Sequence, residues 1–178
     1  PIQNVGAYGA EVSDYLVSVR VWDRTGRSVQ ELSAQECGFG YRTSRFKHKP
    51  DRFVVLEVVF DLPVDESVCV TYPQLAGAVG VEVGVSADGV QVREAVLELR
   101  RSKGMVLDEY DPDTWSVGSF FVNPIVSDAV ARTLPDECPR FPTPSGEVKV
   151  SAAWLIAASG IDRGFQLPES SARVSTKH

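Results

Sequence analysis

Four short stretches hold the side chains that could do chemistry. The opening "PIQNVGAYG" (1–9) offers Gln3, Asn4 and Tyr8 around Gly6, Ala7 and Gly9. Glycines relax such a loop and let its backbone approach a flat or phosphorylated ligand. "FGYR" (39–42) sets Tyr41 beside Arg42, whose planar fork suits a carboxylate or a phosphate. "LRRSK" (99–103) puts Lys103 three residues after Arg100, and "VGSFFVN" (117–123) sets Ser119 and Asn123 where Pro124 interrupts an aromatic, β-branched run. Each stretch taken singly also has a plain structural explanation. Loop glycines and exposed cations are common. Arg42 fits a surface ion pair of little worth, Arg100 and Lys103 complement a helix C-terminus, Ser119 suits a turn, and Tyr8 suits a half-buried aromatic.

Familiar catalytic patterns are missing from the sequence. There is no G-x-S-x-G elbow and no obvious histidine partner for Ser119, which argues against an acyl-transfer triad. Neither G-x-G-x-x-G nor G-x-x-x-x-G-K-[ST] occurs. The acidic run "DEYDPD" reads as a solvated loop rather than a glycosidase pair. Three cysteines and two histidines, widely spaced, give neither a disulfide framework nor a zinc site, so the expectation is structural thiols and no metal.

Composition narrows the classes further. Hydrophobic residues make up 43% and charged residues 24% of 178, ordinary values for a globular chain. A net charge of −6 argues against nucleic acid as a partner. No run approaches the ~18 apolar residues of a membrane span, and no leader pattern is evident, so the expected setting is the cytoplasm. The chain begins without Met and stops in mid-pattern, as expected of a piece of a larger protein.

Elements must position these groups. Residues 15–23 and "VQEL" read as paired strands around the turn "RTGRS". Ser33 and Glu36 fit a capping box over one helical turn, and 38–49 reads as a structured loop. The apolar run 52–62 predicts a buried strand, and "VCVTYPQLAG" a strand running into a turn at Tyr72-Pro73. Residues 80–90 give no clear signal. Val92, Val96 and Leu99 at helical spacing predict a helix ended by Gly104. Beyond an acidic linker (104–118), a strand over Phe120–Val126 precedes a helix capped by Ser127. A proline-rich surface loop (137–148) then leads to a helix stopped at Gly160. The sum is an α+β chain in two pieces.

Taken together and in order, "PIQNVGAYGAE", "ECGFGYRTSRFK", "VTYPQL", "LRRSKG", "GSFFVNP" and "AAWLI" resemble the UDP-N-acetylenolpyruvoylglucosamine reductases, the MurB family of flavoenzymes. The long linker resembles actinobacterial members. The resemblance implies the end of an FAD-binding, vanillyl-alcohol-oxidase-like α+β domain over 1–103. An α+β substrate-binding domain over 104–178 follows, incomplete at its C-terminus. It implies NADPH-driven, FAD-dependent reduction of UDP-N-acetylglucosamine enolpyruvate to UDP-N-acetylmuramate, by a monomeric parent. Ser119 matches the proton donor and Arg42 the carboxylate-binding arginine. Tyr72, Lys103 and Asn123 match substrate contacts, the first two near the diphosphate, and Gln3, Asn4, Gly6, Ala7 and Tyr8 match a flavin-contacting loop. Ala153 and Gln74 depart from the usual glycine and acidic residue of the family. The catalytic glutamate and the glycine-rich flavin loop are expected outside this chain, which alone is expected to be inactive and to retain no FAD. A non-catalytic remnant with weak nucleotide-sugar binding is the alternative.

Overall fold

Val19 and Val21 alternate with Arg20 and Trp22, and this period of two builds the first sheet of the computed structural model, which describes residues 1–64 and 66–178. The chain divides into two compact units, Pro1–Val96 and Leu97–His178, whereas the sequence reading sets the division after Lys103.

The first unit starts with the short pair β1 (Gly6–Ala7) and β2 (Ala10–Glu11). β3 (Leu16–Asp23) and β4 (Ser28–Ser33) form the expected hairpin. After a four-residue helix α1 (Arg45–His48), β5 (Phe53–Phe60) pairs antiparallel with the other side of β3. Leu16, Val19, Val21, Leu32, Cys37 and Phe46 make the core under this sheet. The Ser33–Glu36 box is present, with both side chains bonded to the reciprocal backbone N–H. β6 (Ser67–Cys69) and β7 (Ser86–Asp88) then flank α2 (Pro73–Val79), and α3 (Gly89–Ser102) holds the division point.

In the second unit, β8 (Ile125–Val126), β9 (Arg140–Pro142) and β10 (Val148–Val150) form an antiparallel sheet with β10 central. α4 (Asp128–Ala131) is capped by Ser127 and α5 (Ala152–Ala158) by Ser151, each hydroxyl accepting a first-turn N–H. Ala131, Cys138, Val150 and Ala152 are buried there.

The structure corrects five local expectations. β5 is an edge strand, and every one of its residues keeps some exposure; Phe53, Val55 and Val58 face the core while Leu56 is 49% exposed. Tyr72-Pro73 opens a helix instead of a turn, because proline at the first helical position sacrifices no needed N–H. The 38–49 loop contains α1, nucleated by the Ser44 hydroxyl accepting from Phe46 and Lys47. Of the strand expected over Phe120–Val126, only Ile125–Val126 pairs; the two phenylalanine rings meet edge-to-face at 5.2 Å between centroids and stay exposed. The proline-rich 137–148 segment supplies β9 and the start of β10. Pro142 is tolerated because β9 is an edge. Of the thiols, Cys37 and Cys138 are buried as expected and Cys69 is exposed. Burial pushes the Cys37 thiol up, which keeps it protonated and inert.

Candidate functional site

In the first unit the Ala7–Ala10 pair of β1–β2 leaves Tyr8-Gly9 as a two-residue tip. Their φ values, +54° and +90°, are the positive pair that a type I′ turn demands. Glycine adopts this freely, but Tyr8 does so against its intrinsic preference. Its ring meets that of Tyr72 edge-to-face at 5.7 Å between centroids. A Cβ on Gly9 would lie 2.6 Å from Thr71 Oγ1, so the tip rests directly on the Thr71-Tyr72 segment.

Arg42 reaches the same hairpin from the other candidate loop. Its Nη1 donates to the Asn4 carbonyl at 3.1 Å and its Nη2 to the Gly6 carbonyl at 2.6 Å. The guanidinium also lies 5.4 Å from the Tyr41 ring centroid and 3.6 Å from a Glu11 carboxylate oxygen. Asn4 is buried, with its side chain turned inward onto Glu11, Gly40 and Ser13. Two further bonds bind the loops together. Ser44 Oγ donates to the Ile2 carbonyl at 2.7 Å, and Lys47 Nζ donates to the Arg42 carbonyl at 2.8 Å and to Gln3 Oε1 at 3.5 Å. Gln3, Asn4, Gly6, Ala7, Tyr8, Arg42 and Tyr72 are thus gathered around one small hairpin.

Lys103, Ser119 and Asn123 belong to the second unit. Lys103 follows the last turn of α3, its N–H bonded to the Arg100 carbonyl. Ser119 is exposed and follows Gly118, whose φ is +75°. Asn123 Oδ1 accepts from Ala152 N at 2.9 Å, and the Pro124 carbonyl accepts from Val150 N at 2.9 Å. The break before β8 is therefore bonded to β10 and to the start of α5, which fixes the chain four residues after Ser119.

Sequence reasoning missed three partners. Glu11 stands inside a stretch it singled out but carries no periodic signal. The Asp23–Arg52 pair and the clasp of Asp113 with Arg173 and Thr176 join residues too far apart to be read locally. Among the described residues no group of His, Cys, Asp and Glu could hold a metal ion, and no helix is long and apolar enough to cross a membrane.

No family model matches the chain. All of it aligns with UDP-N-acetylenolpyruvoylglucosamine reductase of Cutibacterium acnes at 49% identity over 180 residues, covering 47% of that protein. The reductases of Mycobacterium sp. (strain MCS), 52% identical over 184 residues, and Thermobifida fusca, 49% over 189, are each covered to 52%. Over its whole length the chain is similar to these reductases. It spans about half the length of the curated relatives it matches. A solved UDP-N-acetylenolpyruvylglucosamine reductase (MurB) from Thermus caldophilus aligns with 99% of the chain and 45% of its own, at 16% identity and a TM-score of 0.44.

The flavin that resemblance to the UDP-N-acetylenolpyruvoylglucosamine reductases implies finds a partial fit in the first unit. Gln3 and Ala7 are exposed and Tyr8 is half-exposed, so the outer edge of the hairpin is open to a flat ligand. The space a Cβ would take at Gly6 is already filled by Glu11, Ala10 and Arg42. Gly6 and the Asn4 side chain therefore support this edge from behind.

Proposed function

We propose that this chain is part of a flavoenzyme that reduces UDP-N-acetylglucosamine enolpyruvate to UDP-N-acetylmuramate, with FAD as cofactor and NADPH as hydride donor. The reaction serves peptidoglycan synthesis in the cytoplasm, and the enzyme acts as a monomer. The observation that carries the reading is the convergence of Arg42 and Tyr72 on the hairpin that holds Asn4, Gly6 and Tyr8. Residues matched to the substrate and residues matched to the flavin meet there.

A bound flavin would supply to the enolpyruvyl double bond the hydride that NADPH donates. Gln3, Ala7 and Tyr8 would hold it at the hairpin, backed by Asn4 and Gly6. Hydride addition at one alkene carbon drives charge toward the substrate carboxylate. The Arg42 guanidinium stabilises that charge as a fixed, oriented donor. The Ser119 hydroxyl gives its proton to the adjacent carbon, which completes the saturated lactyl ether. In the first unit Tyr72 is matched to a substrate contact; in the second, Lys103 offers a point charge to a diphosphate and Asn123 an amide nitrogen to the sugar nucleotide.

The direct test uses the full-length polypeptide that carries this chain, supplied with NADPH and the enolpyruvyl sugar nucleotide. NADPH oxidation that depends on the sugar nucleotide, with a product heavier by dihydrogen, is expected. A protein that purifies without flavin and leaves NADPH untouched contradicts the reading.

A further inference from the structure

The Arg42 guanidinium is anchored through its two terminal nitrogens, both on the Asn4–Gly6 backbone, and Nη1 also faces Glu11 Oε1 at 3.6 Å. The other Glu11 oxygen, Oε2, accepts from Asn4 Nδ2 at 2.7 Å. Asn4 cannot yield, because it is 1% exposed and each end of its amide is bonded. Nδ2 also donates to the Gly40 carbonyl at 3.2 Å, and Oδ1 accepts from Ser13 N at 3.0 Å. A buried amide thus fixes one carboxylate oxygen and leaves the other turned to the arginine. Gly6 closes the arrangement, since a Cβ there would stand 2.7 Å from Glu11 Cγ and 3.2 Å from Arg42 Nη1.

We propose that Glu11 is a positioning residue for Arg42, holding the guanidinium on the 4–6 backbone so that its remaining N–H groups face a ligand carboxylate in a fixed plane. This rests on the reduction proposed above and adds to it a residue that touches neither substrate nor flavin. A guanidinium recognises a carboxylate through parallel N–H bonds, which demands orientation as well as charge. An arginine already fixed in place loses less freedom on binding than one free on a loop. Glu11 also supplies the negative charge that keeps the guanidinium on this side when no ligand is present.

The test compares two nucleotides by titration calorimetry on the full-length polypeptide: the enolpyruvyl sugar nucleotide, and UDP-N-acetylglucosamine, which lacks the carboxylate. Glu11→Ala is expected to weaken the first by about tenfold or more, since small misplacements of an oriented group cost that much, and to leave the second unchanged. Glu11→Gln keeps an acceptor for Asn4 Nδ2 and the side-chain shape, so it guards against simple misfolding and is expected to lose less. Equal weakening of both nucleotides means a general loosening of the fold and overturns the positioning role. An unaltered preference in both variants overturns it too, with the reduction left standing. A wild-type protein that binds both nucleotides equally contradicts the reduction, and this inference with it.

Discussion

Asn123 Oδ1 accepts the backbone N–H of Ala152 at 2.9 Å, so the residue before Pro124 closes the first turn of a helix that begins 29 residues later. A first-turn N–H has no partner within its helix, and Ala152 is too buried to find water easily. That oxygen couples the Ser119 segment to α5, and the Pro124 carbonyl beside it couples the segment to β10.

This bond separates two roles for Asn123. Asn123→Ala leaves the Ala152 N–H unpaired and is expected to lower stability by about 1 kcal/mol, read from urea unfolding. Asn123→Asp keeps the acceptor and is expected to hold that stability while losing affinity for the sugar nucleotide, because the amide nitrogen is gone. Unchanged affinity in a stable Asp variant would leave Asn123 as a helix cap only.

Acid sensitivity is expected from Asp23. Arg52 donates to both carboxylate oxygens, at 2.7 Å to Oδ2 and 3.1 Å to Oδ1, and the backbone N–H groups of Thr25 and Gly26 add to this. The Arg52 hydrogen bonds are the main reason that its pKa falls from 3.8 to about 2. A carboxyl with a depressed folded-state pKa contributes stability that is present above about pH 4 and is lost as pH falls toward 2. Asp23→Asn should therefore be less stable than the wild type at neutral pH, with the gap narrowing across that window in thermal unfolding. A gap that stays constant from pH 6 to pH 2 would rule this pair out as the cause.

The regular parts of the fold were legible where a period carried them. Val92, Val96 and Leu99 announce α3, and the alternation around Val19 and Val21 announces β3. Proline was harder to read, because its meaning depends on tertiary place. Pro73 starts a helix, Pro142 sits in an edge strand, and Pro124 leaves Phe120 and Phe121 outside any sheet. The residues around Arg42 were legible only as motifs. Asn4, Tyr8 and Arg42 all take positive φ, and the contacts that join their two loops include side-chain-to-backbone bonds across 36 or more residues and the ring-to-ring meeting of Tyr8 and Tyr72. No local period encodes such a cluster, so Glu11 could be recognised only from the fold.

Arg42→Lys tests the fork itself. A lysine keeps the charge but cannot bond the Asn4 and Gly6 carbonyls and a ligand carboxylate together. Turnover of the enolpyruvyl sugar nucleotide by the full-length polypeptide is expected to fall by about 100-fold, the scale seen when one oriented donor is lost. Near-normal turnover would reduce Arg42 to a clamp between loops.

Ser119 carries the central claim that this chain supplies the proton of the reduction. The measurement is stopped-flow absorbance of the flavin in the full-length polypeptide, with reduction by NADPH and reoxidation by the enolpyruvyl sugar nucleotide followed separately. Ser119→Ala should slow reoxidation by about 10²–10⁴-fold, the usual worth of a positioned general acid, and leave reduction by NADPH intact. Ser119→Cys should fall between, since a thiol still donates a proton. A Ser119→Ala protein that is reduced slowly by NADPH but reoxidised at the wild-type rate would contradict the assignment.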